Sequence, residues 1–454
     1  MILKNLIYIL QSENYSFKRF LKFAYTHLKW WGLENRQKIV WTRKALAIWV
    51  ISLLIFCFVI VLFFITFNIL GLLVIPFLIV LLPIIIGIAL YAIMPLDIAL
   101  KQQRIASATK IVSASSTMVI GVTGSYGKTS TKEILATILE QKFRVIKTPE
   151  NINTDLGIAE FIINNKDEFR DDGIFIVEMG AHKMGELAKI CRMICPSYSI
   201  LTGINESHLE RFGNLENIIN GKFELPKNTK DLALLNFDDE NINKNYSKFN
   251  LKNCAGTSKQ EASNVKIKEN FKGLEFEWEG RKFETSLLAE HNIALILLCA
   301  RIAKELAMSL DDIYIGVKKI QPVMHRLQPI YNSNTDIMII DDSYNGNFNG
   351  IKSGIAVINK ATGRKVVLTP GLVELGSEMQ DVHIKIGELY ASSIDLVLLI
   401  ENKMTHCIIK GLEKNKFVNY KVYKTTQAAH NDLKNVLKRG DAIVFQNDLT
   451  DNYF

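Results

Sequence analysis

From Ala45 to Met94 the chain carries no Asp, Glu, Lys, Arg or His, whereas beyond Lys110 short β-rich runs alternate with amphipathic stretches. Fifty helical residues extend about 75 Å at 1.5 Å each, against roughly 30 Å of bilayer hydrocarbon, so the charge-free run predicts two crossings. The helices are expected near Ala45 to Phe67 and Gly71 to Ile93, with Asn68 and Gly71 supplying the turn. Pro76 and Pro83 are acceptable there because a neighbouring membrane helix covers the loosened backbone. The first long apolar stretch starts too late for a secretory signal, which makes it an anchor.

The later pattern predicts strands near Met118 to Thr123, Ile174 to Met179, Ser197 to Leu201 and Leu232 to Leu235, with helices between them. Such alternation implies an α/β fold with a mostly parallel sheet. Residues 250 to 288 alternate apolar and polar positions, as in Leu274-Glu275-Phe276-Glu277-Trp278, and predict an antiparallel meander, followed by a helix from about Glu290 to Ala307. A second α/β pattern runs through Asp336 to Ile340, Lys365 to Thr369, Leu396 to Ile400, Tyr420 to Tyr423 and Ala442 to Phe445, after a break near Gln321 to Asn334.

Length and charge sharpen this picture. A chain of 454 residues exceeds one compact core. Residues 1 to 44 hold nine Lys or Arg against Glu13 and Glu34, a surplus of seven that accounts for most of the formal net charge of +8. The remainder is nearly neutral, which argues against a nucleic acid partner and for membrane lipid with anionic headgroups, with Trp30, Trp31 and Trp41 suited to the interface. Arg43 and Lys44 before the apolar run, and Lys101, Arg104 and Lys110 after it, place both ends of a hairpin at the cytoplasmic side of the inner membrane. The six cysteines are scattered and are expected to be buried free thiols.

The strongest chemical signal is Gly121-Val-Thr-Gly124-Ser-Tyr-Gly127-Lys128-Thr129-Ser130-Thr131, placed where a predicted strand turns into a helix. Closely spaced glycines let backbone N–H groups converge on phosphate, the helix start adds its positive end, Lys128 neutralises charge and Thr129 can hold Mg²⁺. Glycine recurs every third residue, and Val122 stands where the usual phosphate loop has its first glycine.

Together with this loop, the strings Thr148-Pro-Glu-Asn151-Ile-Asn153, Glu178-Met-Gly180-Ala181, Glu206-Ser-His208-Leu-Glu-Arg-Phe-Gly213, Asn236-Phe-Asp238-Asp239, His291-Asn292, Arg326-Leu327, Asp341-Asp342-Ser-Tyr344-Asn345 and Thr369-Pro-Gly-Leu-Val-Glu374-Leu-Gly376 occur in one order from about residue 115 to the C-terminus. In these the chain resembles the Mur ligases, which form amide bonds in peptidoglycan precursor synthesis, and most closely those that add D-alanyl-D-alanine to UDP-N-acetylmuramoyl-tripeptide. The resemblance implies 111–325 as the central ATP-binding domain and 326–454 as a Rossmann-like C-terminal domain, while the charge-free run leaves residues 1–110 as a basic segment and membrane hairpin.

It also implies roles. Gly124, Gly127, Lys128, Thr129 and Ser130 would hold the ATP phosphates, His291 and Asn292 the adenine, and Asp341 the ribose or phosphates. Arg326 and Lys128 would act on the reacting phosphoryl group, and Thr129 and Glu178 would hold one Mg²⁺. His208 would help hold a second Mg²⁺, and Lys222 aligns with the lysine that is carbamylated in the family. Read from the residues alone, a solvated Lys222 is the bland alternative to the favoured modified one, Asn292 could cap a helix, and Tyr344 and Asn345 could be turn residues. The sequence departs from the family pattern at Ala289 and His325, where glycine is usual, and at Phe348, where proline is usual. Its C-terminal string from Gln446 lacks the family's lysine-glycine-serine, and the expected membrane helices stand where the family usually has its uridine-diphosphate domain. Alternatives are a poly-γ-glutamate-type ligase of the same family, a membrane transporter, and a noncatalytic nucleotide-binding scaffold.

Overall fold

The computed structural model describes residues 2–13, 15–26, 39–150, 152–169, 172–206, 209–344, 346–373, 375 and 378–447. Trp30, Trp31, Asn151, His208, Asn345, Glu374 and Gly376 lie outside the described residues, and so does the C-terminal string beyond Asn447. The chain forms two compact units, Met1–Arg104 and Ile105–Phe454.

In the first unit, helices Ile2–Ser12 and Phe17–Thr26 precede a helical segment that continues from Arg43 to Ser113 in the second unit. This segment corrects the expected outline. Residues 68–73 form 3₁₀ helix instead of an open turn, and the helix that starts at Val74 runs to Ser113 instead of stopping near Ile93. Asn68 takes φ 49°, a conformation that asparagine tolerates better than most residues. The segment is long and apolar enough to cross a membrane. Leu6, Ile7, Leu10 and Phe20 pack with Ala45, Ile48, Leu82, Ile86 and Ala89, while Phe58, Ile65, Leu70, Leu73 and Phe77 are exposed.

The second unit holds two α/β layers. Strands β1 (Met118–Thr123), β2 (Val145–Lys147), β3 (Ile174–Glu178), β4 (Tyr198–Leu201), β5 (Leu232–Asn236) and β6 (Cys254–Thr257) form a parallel sheet in the order β2-β3-β1-β4-β5-β6. Because side chains alternate across a strand, Ile174 and Ile176 enter one core and Phe175 and Val177 the other. The first core is closed by helices Lys128–Leu139, His291–Glu305 and Leu310–Lys319. Burial on both faces explains why the central strands β1, β3, β4 and β5 read as apolar runs. The expected meander is shorter than its outline: β7 (Ser263–Ile267), β8 (Leu274–Trp278) and β9 (Arg281–Thr285) form it, and β6 joins the parallel sheet instead.

Strands β10 (Gln328–Asn332), β11 (Ile337–Asp342), β12 (Lys365–Thr369), β13 (Leu396–Ile400), β14 (Tyr420–Tyr423) and β15 (Ala442–Gln446) make the second sheet, in the order β10-β11-β15-β12-β13-β14. All its pairs are parallel except β10 with β11, so part of the expected linker is an antiparallel edge strand. Phe348 is the first residue of helix Phe348–Ile358, with Asn347 as its cap. Proline suits that position because the N–H there is unsatisfied in any case, so phenylalanine loses no hydrogen bond. All six thiols are free, but only Cys191, Cys299 and Cys407 are buried; Cys57, Cys195 and Cys254 are exposed, contrary to expectation.

Candidate active site

The loop between β1 and helix Lys128–Leu139 sits at the carboxyl edge of the first sheet, where open α/β sheets bind ligands. Gly127 caps the helix at φ 76°, and a Cβ on Gly124 would collide with the Thr202 hydroxyl. Three hydrogen bonds to Asp239 brace the loop. Tyr126 donates its hydroxyl to Asp239 Oδ2 at 2.6 Å, and Asp239 also accepts from the backbone N–H groups of Ile204 and Ile242, both at 2.9 Å.

Lys128 is half-buried and folds back to donate to the Gly124 carbonyl at 2.8 Å. Burial lowers its pKa, with Arg326 acting in the same sense and Glu178 opposing. The next residue joins three elements. Thr129 Oγ1 donates to Glu178 Oε2 at 2.9 Å and accepts from Arg326 Nη2 at 3.3 Å. Glu178, at the end of β3, is 4% exposed and accepts a second hydrogen bond from Asn153 Nδ2 at 3.3 Å. Arg326 lies over the Tyr344 ring, with its guanidinium carbon 4.4 Å from the centroid.

His325, where the resembling family has glycine, takes φ 62°, and Leu327 takes φ 48°. The position therefore has the backbone shape that favours glycine. His325 Nδ1 lies 2.7 Å from Asp341 Oδ2, and Asp341 Oδ1 also accepts from Ser343 Oγ at 2.6 Å. His325 and Asp341 line one cavity of about 310 Å³ with His430 and Asn447, whereas Arg326, Ser130 and Asn292 line another of only about 20 Å³. His291 Nδ1 lies 3.1 Å from Ser353 Oγ, and Asn292 is buried at the start of helix His291–Glu305.

Lys222, the last residue of helix Leu215–Lys222, is 2% exposed, and its Nζ donates to the Ala181 carbonyl at 3.3 Å. The solvated alternative for this lysine is therefore corrected. Burial, helped by the charge of Lys128 and opposed by Glu186 and Glu224, pulls its pKa down to about 7. One group, Lys132, escaped sequence reasoning, and a second, Asp342 of the Asp341-Asp342 string, has an environment that the sequence did not reveal. Lys132 is completely buried beside Glu178, and Asp342, which accepts from Leu327 N–H at 3.2 Å, is pushed up to about 7 by burial against the opposing charge of Arg326.

Among the described residues no group of three His, Cys, Asp or Glu side chains could hold a metal ion. The Thr129 hydroxyl and Glu178 carboxylate nevertheless fit Mg²⁺, which takes hard oxygen ligands, often one or two carboxylates, and completes its shell with water and phosphate. An unmodified Lys222 does not fit a metal, because an ammonium has no lone pair to offer.

Residues 122–303 match the Mur ligase middle domain, and residues 325–446 match the Mur ligase, glutamate ligase domain. The UDP-N-acetylmuramoyl-tripeptide--D-alanyl-D-alanine ligase of Escherichia coli is 29% identical over 305 residues, which cover 64% of this chain and 66% of that one. The Bacillus subtilis ligase of the same name is 26% identical over 340 residues, 73% of each chain. The crystal structure of MurF ligase from Thermotoga maritima in complex with ADP superposes with a TM-score of 0.67 at 24% identity, covering 77% of this chain and 80% of that one. The chain thus spans about two thirds of the length of the Escherichia coli relative.

Proposed function

Because the chain belongs to the Mur ligase family, we propose that it is an ATP-dependent amide ligase that adds D-alanyl-D-alanine to UDP-N-acetylmuramoyl-tripeptide. The observation that carries this reading is the meeting of Thr129, Glu178 and Arg326 beside Lys128. Joining a carboxylate to an amine in water is uphill. ATP makes it feasible: a tripeptide carboxylate oxygen attacks the γ-phosphorus and ADP leaves. The amine nitrogen of D-alanyl-D-alanine then attacks the acyl carbon, phosphate departs with the C–O electron pair, and the amine loses a proton.

The chain's own residues would lower both barriers by positioning and by charge. Lys128 releases its loop carbonyl to meet the phosphates, and Arg326 presents a second fixed cation. Thr129 and Glu178 would hold Mg²⁺, which when bound neutralises phosphate charge. Gly124, Gly127 and Ser130 shape the phosphate loop, Asn292 with His291 would face the adenine, and Asp341 the ribose or phosphates. Lys222, once carbamylated, would supply a carboxylate-like group for a second Mg²⁺ together with His208. Phosphate release by the solubilised protein tests the reading. It should require both muramoyl-tripeptide and D-alanyl-D-alanine; dependence on glutamate instead would select the poly-γ-glutamate type, and release indifferent to either would remove both ligase readings.

We further propose that residues 1–110 form a basic segment with a membrane hairpin, that 111–325 and 326–454 are the two ligase domains, and that the ligase domains work at the cytoplasmic face of the inner membrane. Support for the hairpin comes from Lys44 Nζ lying 2.8 Å from Asp97 Oδ2, 53 residues along the chain, with Lys101 Nζ 3.1 Å from the same oxygen. A single straight helix over that interval would separate the two ends by about 80 Å. The exposed apolar side chains of the segment and the basic residues before it suit a bilayer with anionic headgroups.

A further inference from the structure

Lys132 lies one turn beyond Lys128 in the same helix, and its side chain is 0% exposed. An ammonium taken out of water is costly unless it is paired and hydrogen-bonded. Lys132 Nζ donates to the Thr148 carbonyl at 2.7 Å and lies 3.4 Å from Glu133 Oε1 and 3.8 Å from Glu178 Oε2. Glu133 is itself shared, since Lys147 Nζ is 2.5 Å from its other oxygen. Thr148 closes the arrangement from the other side, because its hydroxyl accepts the Glu178 backbone N–H at 3.0 Å. Lys132 therefore ties the end of β2 to the end of β3 and shares the charge of Glu178.

We propose that Lys132 is a positioning residue that keeps Glu178 partly neutralised, so that a divalent cation enters this site with the nucleoside triphosphate and not alone. The inference rests on Glu178 being a metal ligand. Around this one carboxylate stand three cations: Lys132 in an ion pair, and Lys128 and Arg326 close enough to act on one another's charge. A bare divalent cation approaching Thr129 and Glu178 meets net positive charge. A triphosphate, with about four negative charges, reverses that sign and makes the combined binding favourable. Without Lys132 the same hydroxyl and carboxylate would be an ordinary anionic half-site, open to a free cation.

Manganese serves as the probe, with free Mn²⁺ followed by electron paramagnetic resonance in the full-length, detergent-solubilised protein. Wild type should bind Mn²⁺ weakly alone and tightly with a nonhydrolysable ATP analogue. Lys132→Met should bind Mn²⁺ alone at least roughly tenfold more tightly, shrinking the enhancement by the nucleotide to match. Glu133→Gln leaves the lysine charge wholly to Glu178 and should weaken binding of Mn²⁺ alone by roughly threefold or more. A tether with no electrostatic role lowers the melting temperature of Lys132→Met but leaves that enhancement at its wild-type value, which would overturn the inference. Should Lys132→Met fail to fold, an unchanged enhancement in Glu133→Gln overturns it equally. Glu178→Gln separates the two levels: tight Mn²⁺ binding with nucleotide surviving there removes the metal assignment itself, whereas its loss there, with an unchanged enhancement in Lys132→Met, removes only the role of Lys132.

Discussion

Lys222 should react with dissolved CO₂ at neutral pH, and the size of the effect follows from its surroundings. Only the neutral amine attacks CO₂. An ordinary lysine with a pKa of 10.5 is neutral in roughly one molecule in 3,000 at pH 7, whereas burial pulls Lys222 down to about 7, so that about half is neutral. The reactive fraction rises on the order of a thousandfold. Lys128, whose charge helps depress the ammonium, would in turn favour the anionic carbamate. In a ¹³C-bicarbonate NMR spectrum at pH 7 the protein should show a carbamate carbonyl resonance that disappears in Lys222→Ala and persists in Lys227→Ala, where the lysine is exposed. Stability should respond as well. The folded pKa lies below the unfolded one, so the cost of charging Lys222 is absent above about pH 10.5, grows as pH falls, and is complete below about pH 7, where it reaches about 5 kcal/mol. Carbamylation removes that cost, so bicarbonate should raise the melting temperature of wild type but not of Lys222→Met. A spectrum without the resonance, together with a melting temperature indifferent to bicarbonate, would refute the reasoning.

Lys128→Ala should lower phosphate release by roughly a thousandfold, because it removes both a fixed cation and a phosphate contact; near-normal turnover in the substrate-dependent assay counts against the site. His325→Gly should stabilise the protein by about 0.5–1 kcal/mol, since relief of the left-handed backbone outweighs loss of a half-exposed contact to Asp341, and a lower melting temperature would show the contact to dominate. In a cysteine-free background, Thr26→Cys and Ser113→Cys should both resist a membrane-impermeant maleimide in intact spheroplasts and react after lysis; labelling of one alone before lysis breaks the hairpin.

The central strands were legible because both faces of each are buried. Burial on both sides demands continuous apolar side chains, as in Ile174-Phe175-Ile176-Val177 and Leu396-Val397-Leu398-Leu399. The strands missing from the sequence reading, β2 and β10, and the one it assigned to the wrong sheet, β6, all lie at sheet edges. An edge strand pairs on one side only, so it needs less apolar surface and tolerates residues such as Cys254 or Pro329 that break the pattern. The long apolar segment was legible in composition but not in outline. Freedom from charge fixes which residues suit lipid, while the far end of the second helix depends on packing beyond Ile93, where Ala108 and Val112 join the core of the second unit.

The candidate site was legible where chemistry forces residue identity, and less so where burial decides. Glycine, lysine and threonine in the phosphate loop are recognisable because few other residues make that turn and carry that charge. Lys132 was hidden because a lysine inside a helix is normally solvated, yet its register held the signal: Lys128, Lys132, Leu135 and Leu139 follow one helical stripe, and the last three are buried. A charged residue on an apolar stripe needs a partner, which here is Glu178. Arg326 shows the opposite case. Left-handed backbone at His325 and Leu327 brackets it, each costing about 1 kcal/mol, and the turn they make brings a residue just before β10 onto Thr129 of the first sheet domain. Replacing the glycine by histidine therefore keeps the reach of the arginine and charges the fold for it, while the His325 contact to Asp341 returns part of that cost.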